Sequence, residues 1–407
     1  MTRVSSGLQL LILFLSRVKN SCNCMNPLIN QCAYFVCLLS GCWPALLTQA
    51  RADWPFVRGN IHANGVADSG LPDEPELIWG FSVPDSGFEA TAVIVDGVIY
   101  VGDIDSTFYA IRLVDGQLVW KQTFKDSGFS TAAAVVNQRV FVGDFEGVVR
   151  CLRTDSGKEI WSYESDSELY AAPNVYDGCV LVTTESGKLL VLDAQTGDLK
   201  WHFQIEAPLR CWPAVIEGRV FLAGCDERLH AIDIETEKEV EDFAIDGPTG
   251  STPASWGKNV YFGTETGTFY AITTSPLQKS WSQQDFQRAQ PIRVAAAVDR
   301  RAVIYGGQGK RMVALNPMNG EQLWEFPLRS RTEGAPVISG ERVVFATVRG
   351  RVYAIDIKNG AKKWEYEAGG SFQASPAVVD RKLVIGNTNG LLYCFGEKKD
   401  AAGEGHR

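Results

Sequence analysis

The chain has 407 residues, 45% hydrophobic and 21% charged, an ordinary globular composition with ample length for a large core. Its formal net charge is −9 and no basic run occurs, which argues against nucleic acid as a partner, because neutralising phosphates drives that binding. The four histidines leave few candidates for a His-rich metal site.

Residues 1–52 read as a leader. They carry Arg3, Arg17, Lys19 and Arg51, no acidic residue, and five of the ten cysteines. Beyond them 35 basic residues face 48 acidic ones, a balance near −13. Two apolar stretches, Leu8 to Leu15 and Ala33 to Leu47, fall short of the roughly 18 to 20 apolar residues that span a bilayer. Ala50-Arg51-Ala52 then forms a small-x-small site before Asp53, the layout of a secretory signal peptide, with Met25 as an alternative start. Leu39-Ser40-Gly41-Cys42 also matches a bacterial lipobox, which would make Cys42 the lipidated N-terminus and the only link to a membrane. A retained anchor is the third reading. All three predict export, to the periplasm, the cell envelope or the medium.

After a lead-in over 53–76, tryptophan recurs at about forty residues: Trp79, Trp120, Trp161, Trp201, Trp281, Trp324 and Trp364. Each unit opens on a Pro or Ala, at Ala92, Ala133, Pro173, Pro213, Pro253, Ala296, Pro336 and Pro376. Turns such as Asp96-Gly97 and Asn359-Gly360 divide each unit into short strands. Four antiparallel strands per repeat of this length describe one blade of a propeller, and no long 3.6-period segment predicts a helix. The expectation is an all-β, eight-bladed β-propeller over 77–396, with a polar tail over 397–407. The last unit lacks a fourth strand, whereas 77–83 is a fourth strand without the other three. The N-terminal strand should therefore complete the last blade and remove exposed edges. The Trp slots should dock blade on blade as core packing, each placing its N–H on a backbone partner.

One slot is anomalous, because Glu241 stands where Trp is expected. A carboxylate is costly to bury unpaired, so Glu241 should be exposed or paired with a cation. The outer strand over 238–243 should be short or frayed.

The unit SPAVVDRKLVIGNTNGLLYCF and the endings LDAQTGDLKW, NPMNGEQLW and IDIKNGAKKW resemble PQQ-type propeller repeats. Asp53-Trp54-Pro55-Phe56-Val57-Arg58-Gly59 resembles the DWPxxRG lead-in of exported PQQ-like propellers. The resemblance implies one of two functions. One is a non-catalytic scaffold of the BamB type, binding a protein or peptide in the envelope. The other is a dehydrogenase holding pyrroloquinoline quinone (PQQ) and calcium. No vicinal Cys pair occurs, and the spacing of the Trp slots leaves no chain for an elaborate active site. The scaffold is therefore the expectation, with no catalytic residue, metal ligand or bound cofactor assigned.

The residue three before each unit start should lie at one mouth of the central channel. Around the ring these are Glu89, Ser130, Tyr170, Arg210, Gly250, Arg293, Glu333 and Gln373, with the arginines facing Glu89 and Glu333. Phe88, Phe129 and Phe372 should add apolar surface there. Aromatics and Arg on a polar, mixed-charge rim suit a protein- or peptide-binding face.

Overall fold

The computed structural model describes residues 53–284 and 288–398. The leader and Cys42 lie outside them, as does the tail from 399. Eight sheets form eight antiparallel blades, with no helix among the described residues. Blade 1 illustrates the unit: an inner strand Val93–Val95, then Val98–Gly102, Thr107–Arg112 and an outer strand Leu118–Thr123. Its two middle strands are almost wholly buried, because neighbouring blades cover both faces. That is why they read as continuous apolar runs, as strands covered on both sides do. The outer strand alternates buried and exposed residues, as a half-covered strand must.

Closure follows the expectation. Glu76–Ser82 pairs antiparallel with Leu391–Gly396 and so completes blade 8. Five slot tryptophans donate their indole N–H to a carbonyl of the next blade: Trp79 to Leu113, Trp120 to Thr154, Trp161 to Ala194, Trp281 to Pro317 and Trp324 to Ile357. The ring lies on the glycine of the next hairpin. A Cβ on Gly157 would sit 2.5 Å from the Trp120 ring, and φ is +68° there, so only glycine serves. Trp201 and Trp364 are half-buried, and their indoles find no acceptor among the described residues, contrary to expectation. At these two places the platform differs: Glu237 occupies the glycine position for Trp201, and blade 8 has no such hairpin for Trp364.

The blade with Glu241 departs from the sequence reading. Its outer strand, Lys238–Ala244, has seven residues and is neither short nor frayed. Glu241 is half-buried and pairs with no cation among the described residues; its Oε2 accepts the backbone N–H of Leu277 in the next blade. The carboxylate is thus satisfied by an amide that the turn leaves unpaired.

The lead-in is built into the channel. The inner strands are sheet edges whose mid-strand N–H groups face the axis, and such edges demand partners. Carbonyls of the lead-in supply them: Trp54 for Ile94, Pro55 for Val135, Ile61 for Val215, His62 for Ser255, Asn64 for Val298 and Gly65 for Ile338. Val66–Ala67 then runs parallel to Val337–Ser339 as a fifth strand of blade 7. In blade 3 the corresponding amide, Val175, is satisfied by Oδ1 of Asn174 at 2.8 Å.

Candidate functional site

Seven predicted mouth residues line one cavity of about 240 Å³: Glu89, Ser130, Tyr170, Arg210, Arg293, Glu333 and Gln373. Gly250 borders a larger hollow of about 800 Å³ beside it, over blades 3 to 7, which also touches Tyr170, Arg210, Glu265, Arg293 and Glu333. Tyr170 is 49% exposed, the largest apolar surface at the mouth. The spacing brought these residues together because each inner strand starts at the same height on the ring.

Neither Arg210 nor Arg293 hydrogen-bonds Glu89 or Glu333, although the Glu333 charge still acts on Arg293. Arg210 forks onto Glu185 of blade 3, and Arg293 onto Glu265 of blade 5, at 2.8 and 2.9 Å. These hydrogen bonds raise both guanidinium pKa values above the ordinary arginine range. Glu333 is held by Arg331 at 2.6 Å and Gln308 at 3.1 Å, and Glu89 by Gln373 at 2.9 Å. Burial pushes the Glu89 carboxyl up from its usual value.

Phe88, Phe129 and Phe372 are fully buried and contribute no surface to the mouth. Each lies one residue before a mouth position, so strand alternation turns it into the gap between blades. Phe129 packs on Gly102, where a Cβ would lie 2.3 Å from its own Cβ.

The same alternation creates a second ring that the sequence reading missed, two residues further in. Thr91, Ala132, Ala172, Trp212, Thr252, Ala295, Ala335 and Ser375 all line the cavity below the mouth. All but Trp212 are small, which is what leaves the space open. The ring is stitched by hydroxyls that accept backbone N–H groups: Thr91 from Ser375, Thr252 from Trp212, and Ser375 from Ala335. Val57 and Arg58 of the lead-in also line this cavity. A run of small residues at forty-residue spacing was the available signal.

Elsewhere, His230 is buried in blade 4 between Asp226 at 3.0 Å and Glu239 at 2.6 Å. No group of three metal-ligating side chains occurs among the described residues. The five cysteines beyond the leader are free thiols, Cys211 and Cys225 included.

Comparison with known proteins is concordant. The profile described as outer membrane protein assembly factor BamB matches residues 72–144, 105–211 and 205–401. BamB from Moraxella catarrhalis superposes with a TM-score of 0.69 at 17% identity, over 81% of this chain and 99% of that one. Quinohemoprotein alcohol dehydrogenase from Comamonas testosteroni gives 0.71 at 16% identity, over 86% and 81%. The computationally designed Ika8 protein gives 0.69 at 18%, over 81% and 100%. No curated protein matches in sequence. At these identities the superpositions establish the propeller fold, which BamB and a dehydrogenase share. The profile covers most of the chain, and the protein belongs to the PQQ-repeat propeller family of the outer membrane protein assembly factor BamB.

Proposed function

We propose that this protein is an exported, non-catalytic scaffold of the cell envelope that binds a protein or peptide at the mouth of its channel. The observation that carries this reading is the mouth itself. An exposed Tyr170 stands among arginines already clamped by Glu185 and Glu265, a rigid polar rim around an aromatic anchor. The family membership supports envelope location and a protein partner by analogy.

A quinone dehydrogenase fits this mouth poorly. Calcium takes six to eight oxygen ligands, with carboxylates prominent among them. Here Glu185 and Glu265 are each engaged by an arginine, Glu333 by Arg331, and Glu89 by Gln373. A cation would have to break those pairs. The donor set therefore favours a scaffold, and no step is assigned to a quinone.

Two measurements decide between them. Cross-linking in envelope extracts should capture a partner with the native protein and lose it with Tyr170→Ala or Arg293→Ala. Added PQQ and calcium should not co-elute with the protein or support dye-linked alcohol oxidation. Stoichiometric quinone retention with turnover would replace this reading.

A further inference from the structure

Positive charge collects at one place on the mouth face, although the chain as a whole carries a formal −9. Between blades 6 and 7 lies a hollow of about 200 Å³. It is lined by Arg329 and Ser330 of the loop leaving blade 6, and by Thr347, Arg349, Arg351 and Glu367 of blade 7. The next residue of that loop, Arg331, holds Glu333 of the mouth, so the hollow and the mouth share a face. Arg351 is already held by its own blade, through Glu365 and, at 2.9 Å, Glu367. Arg329 and Arg349 are exposed, and neither guanidinium has a hydrogen-bond or ion-pair partner among the described residues. Three cations therefore share the hollow with one lining carboxylate, Glu367.

The repeat shows what this slot holds at other junctions. The residue after the outer strand donates its backbone N–H to the turn of its own blade: Ser165 to Gly147, Ile245 to Glu227 and Leu328 to Lys310. The residues that follow them, Asp166, Asp246 and Arg329, are therefore equivalent. The facing turns correspond as well, because Thr184, Thr264 and Thr347 donate their N–H to the carbonyls of Lys188, Thr268 and Arg351. Between blades 2 and 3, Asp166 bonds Lys188 and, at 3.4 Å, Ser186. Between blades 4 and 5, Asp246 accepts the hydroxyls of Thr264, at 3.1 Å, and Thr268. A carboxylate of the chain itself fills both slots. Between blades 6 and 7 its place is taken by Arg329, with Arg351 in the position of Lys188 and Arg349 in that of Ser186. The acid is gone and the cations have multiplied.

We infer that the hollow between blades 6 and 7 receives an Asp or Glu side chain from an acidic segment of a partner protein. That carboxylate takes the place that Asp166 and Asp246 occupy at the equivalent junctions, with Arg329 and Arg349 as its donors. Like charges gathered in one hollow repel, and an anion between them removes the repulsion. The guanidinium fork matches a carboxylate in geometry and in charge. Charged groups at the rim of an interface govern encounter and specificity, so the slot selects an acidic partner and orients it beside the mouth. The inference deepens the proposed function by giving the partner a charge, and it rests on the mouth face being the binding face.

The test is fluorescence anisotropy at low ionic strength, with the purified protein and a labelled peptide Gly-Asp-Glu-Asp-Gly blocked at both termini. Its neutral counterpart is Gly-Asn-Gln-Asn-Gly. The acidic peptide should bind at least about tenfold tighter than the neutral one, and added salt should weaken it. Arg329→Asp restores the acid found at the exits of blades 2 and 4, so it should fill the slot and lower affinity at least about tenfold. Its melting temperature should be unchanged or raised. Arg349→Ser, which installs the residue of blade 3, is the second arm and should weaken binding several-fold. Arg112→Ser, at the far end of the third strand of blade 1, removes a charge elsewhere and should change nothing. Equal binding of the neutral peptide, equal loss in Arg112→Ser, or indifference to both Arg329→Asp and Arg349→Ser would each overturn the site. Displacement by inorganic phosphate but not by acetate would assign the hollow to phosphoryl groups and overturn the acidic segment. An envelope partner that cross-links equally to Arg329→Asp, yet is lost in Tyr170→Ala, would leave the proposed function standing and remove this inference alone.

Discussion

Glu241 accepts the backbone N–H of Leu277, and so reverses the hydrogen bond found at five other slots of the ring, where a tryptophan donates to a carbonyl. The link between blades 4 and 5 is therefore kept with opposite polarity and less apolar contact. Glu241→Ala should lower stability by about 1 to 3 kcal/mol, the cost of stranding a buried amide. Denaturant unfolding measures it, and an unchanged midpoint would show that water satisfies Leu277.

The same contact bears on local opening. With the slot capped and the outer strand full length, amides of 236–243 should exchange about as slowly as those of 359–366 in blade 7. Hydrogen exchange followed by mass spectrometry makes the comparison. Markedly faster exchange in blade 4 would mean that one carboxylate does not replace an indole.

Tryptophan docking can be separated into packing and hydrogen bonding at Trp120. Trp120→Phe should cost about 1 kcal/mol for the lost bond to Thr154, whereas Trp120→Ala should cost about 3 to 5 kcal/mol. Comparable losses in both variants would assign the slot to its hydrogen bond.

The burial of Arg58 predicts a sign for alkaline stability. Its folded pKa, about 9, lies well below the ordinary arginine range, so above pH 9 the unfolded chain binds more protons. Stability should therefore rise from pH 9 upward relative to Arg58→Met, and the relative gain should vanish as pH falls below 9. Tyrosines and lysines titrate in both proteins and cancel in the difference. Thermal melts at pH 8 and 10 provide the measurement, and a constant difference between the proteins would contradict the lowered pKa.

Among the five free thiols only Cys225 is partly exposed. Burial pushes Cys211 and Cys394 up to about 12 and Cys151 up to about 11. Iodoacetamide should label Cys225 first in the native protein, leaving these three until unfolding. Early labelling of Cys151 would show that the gap between blades 2 and 3 opens readily.

The architecture was legible in the chain because a propeller repeats one local unit. Strand length, turn chemistry and the Trp-to-glycine docking recur every forty residues, so the eight unit starts and the orphan strand carrying Trp79 already implied the count and the closure. The mouth ring followed from the same spacing, since equivalent positions in a ring must converge. Phe88, Phe129 and Phe372 were misplaced because one residue of strand alternation separates the rim from the gap between blades. The period carries no information about contacts that break it. Arg210 chose Glu185 over the acids across the mouth, Glu241 found Leu277, and the lead-in entered the channel with Arg58. Each of those choices matches a particular unpaired group to the group that folding happens to bring beside it, which only the closed ring determines.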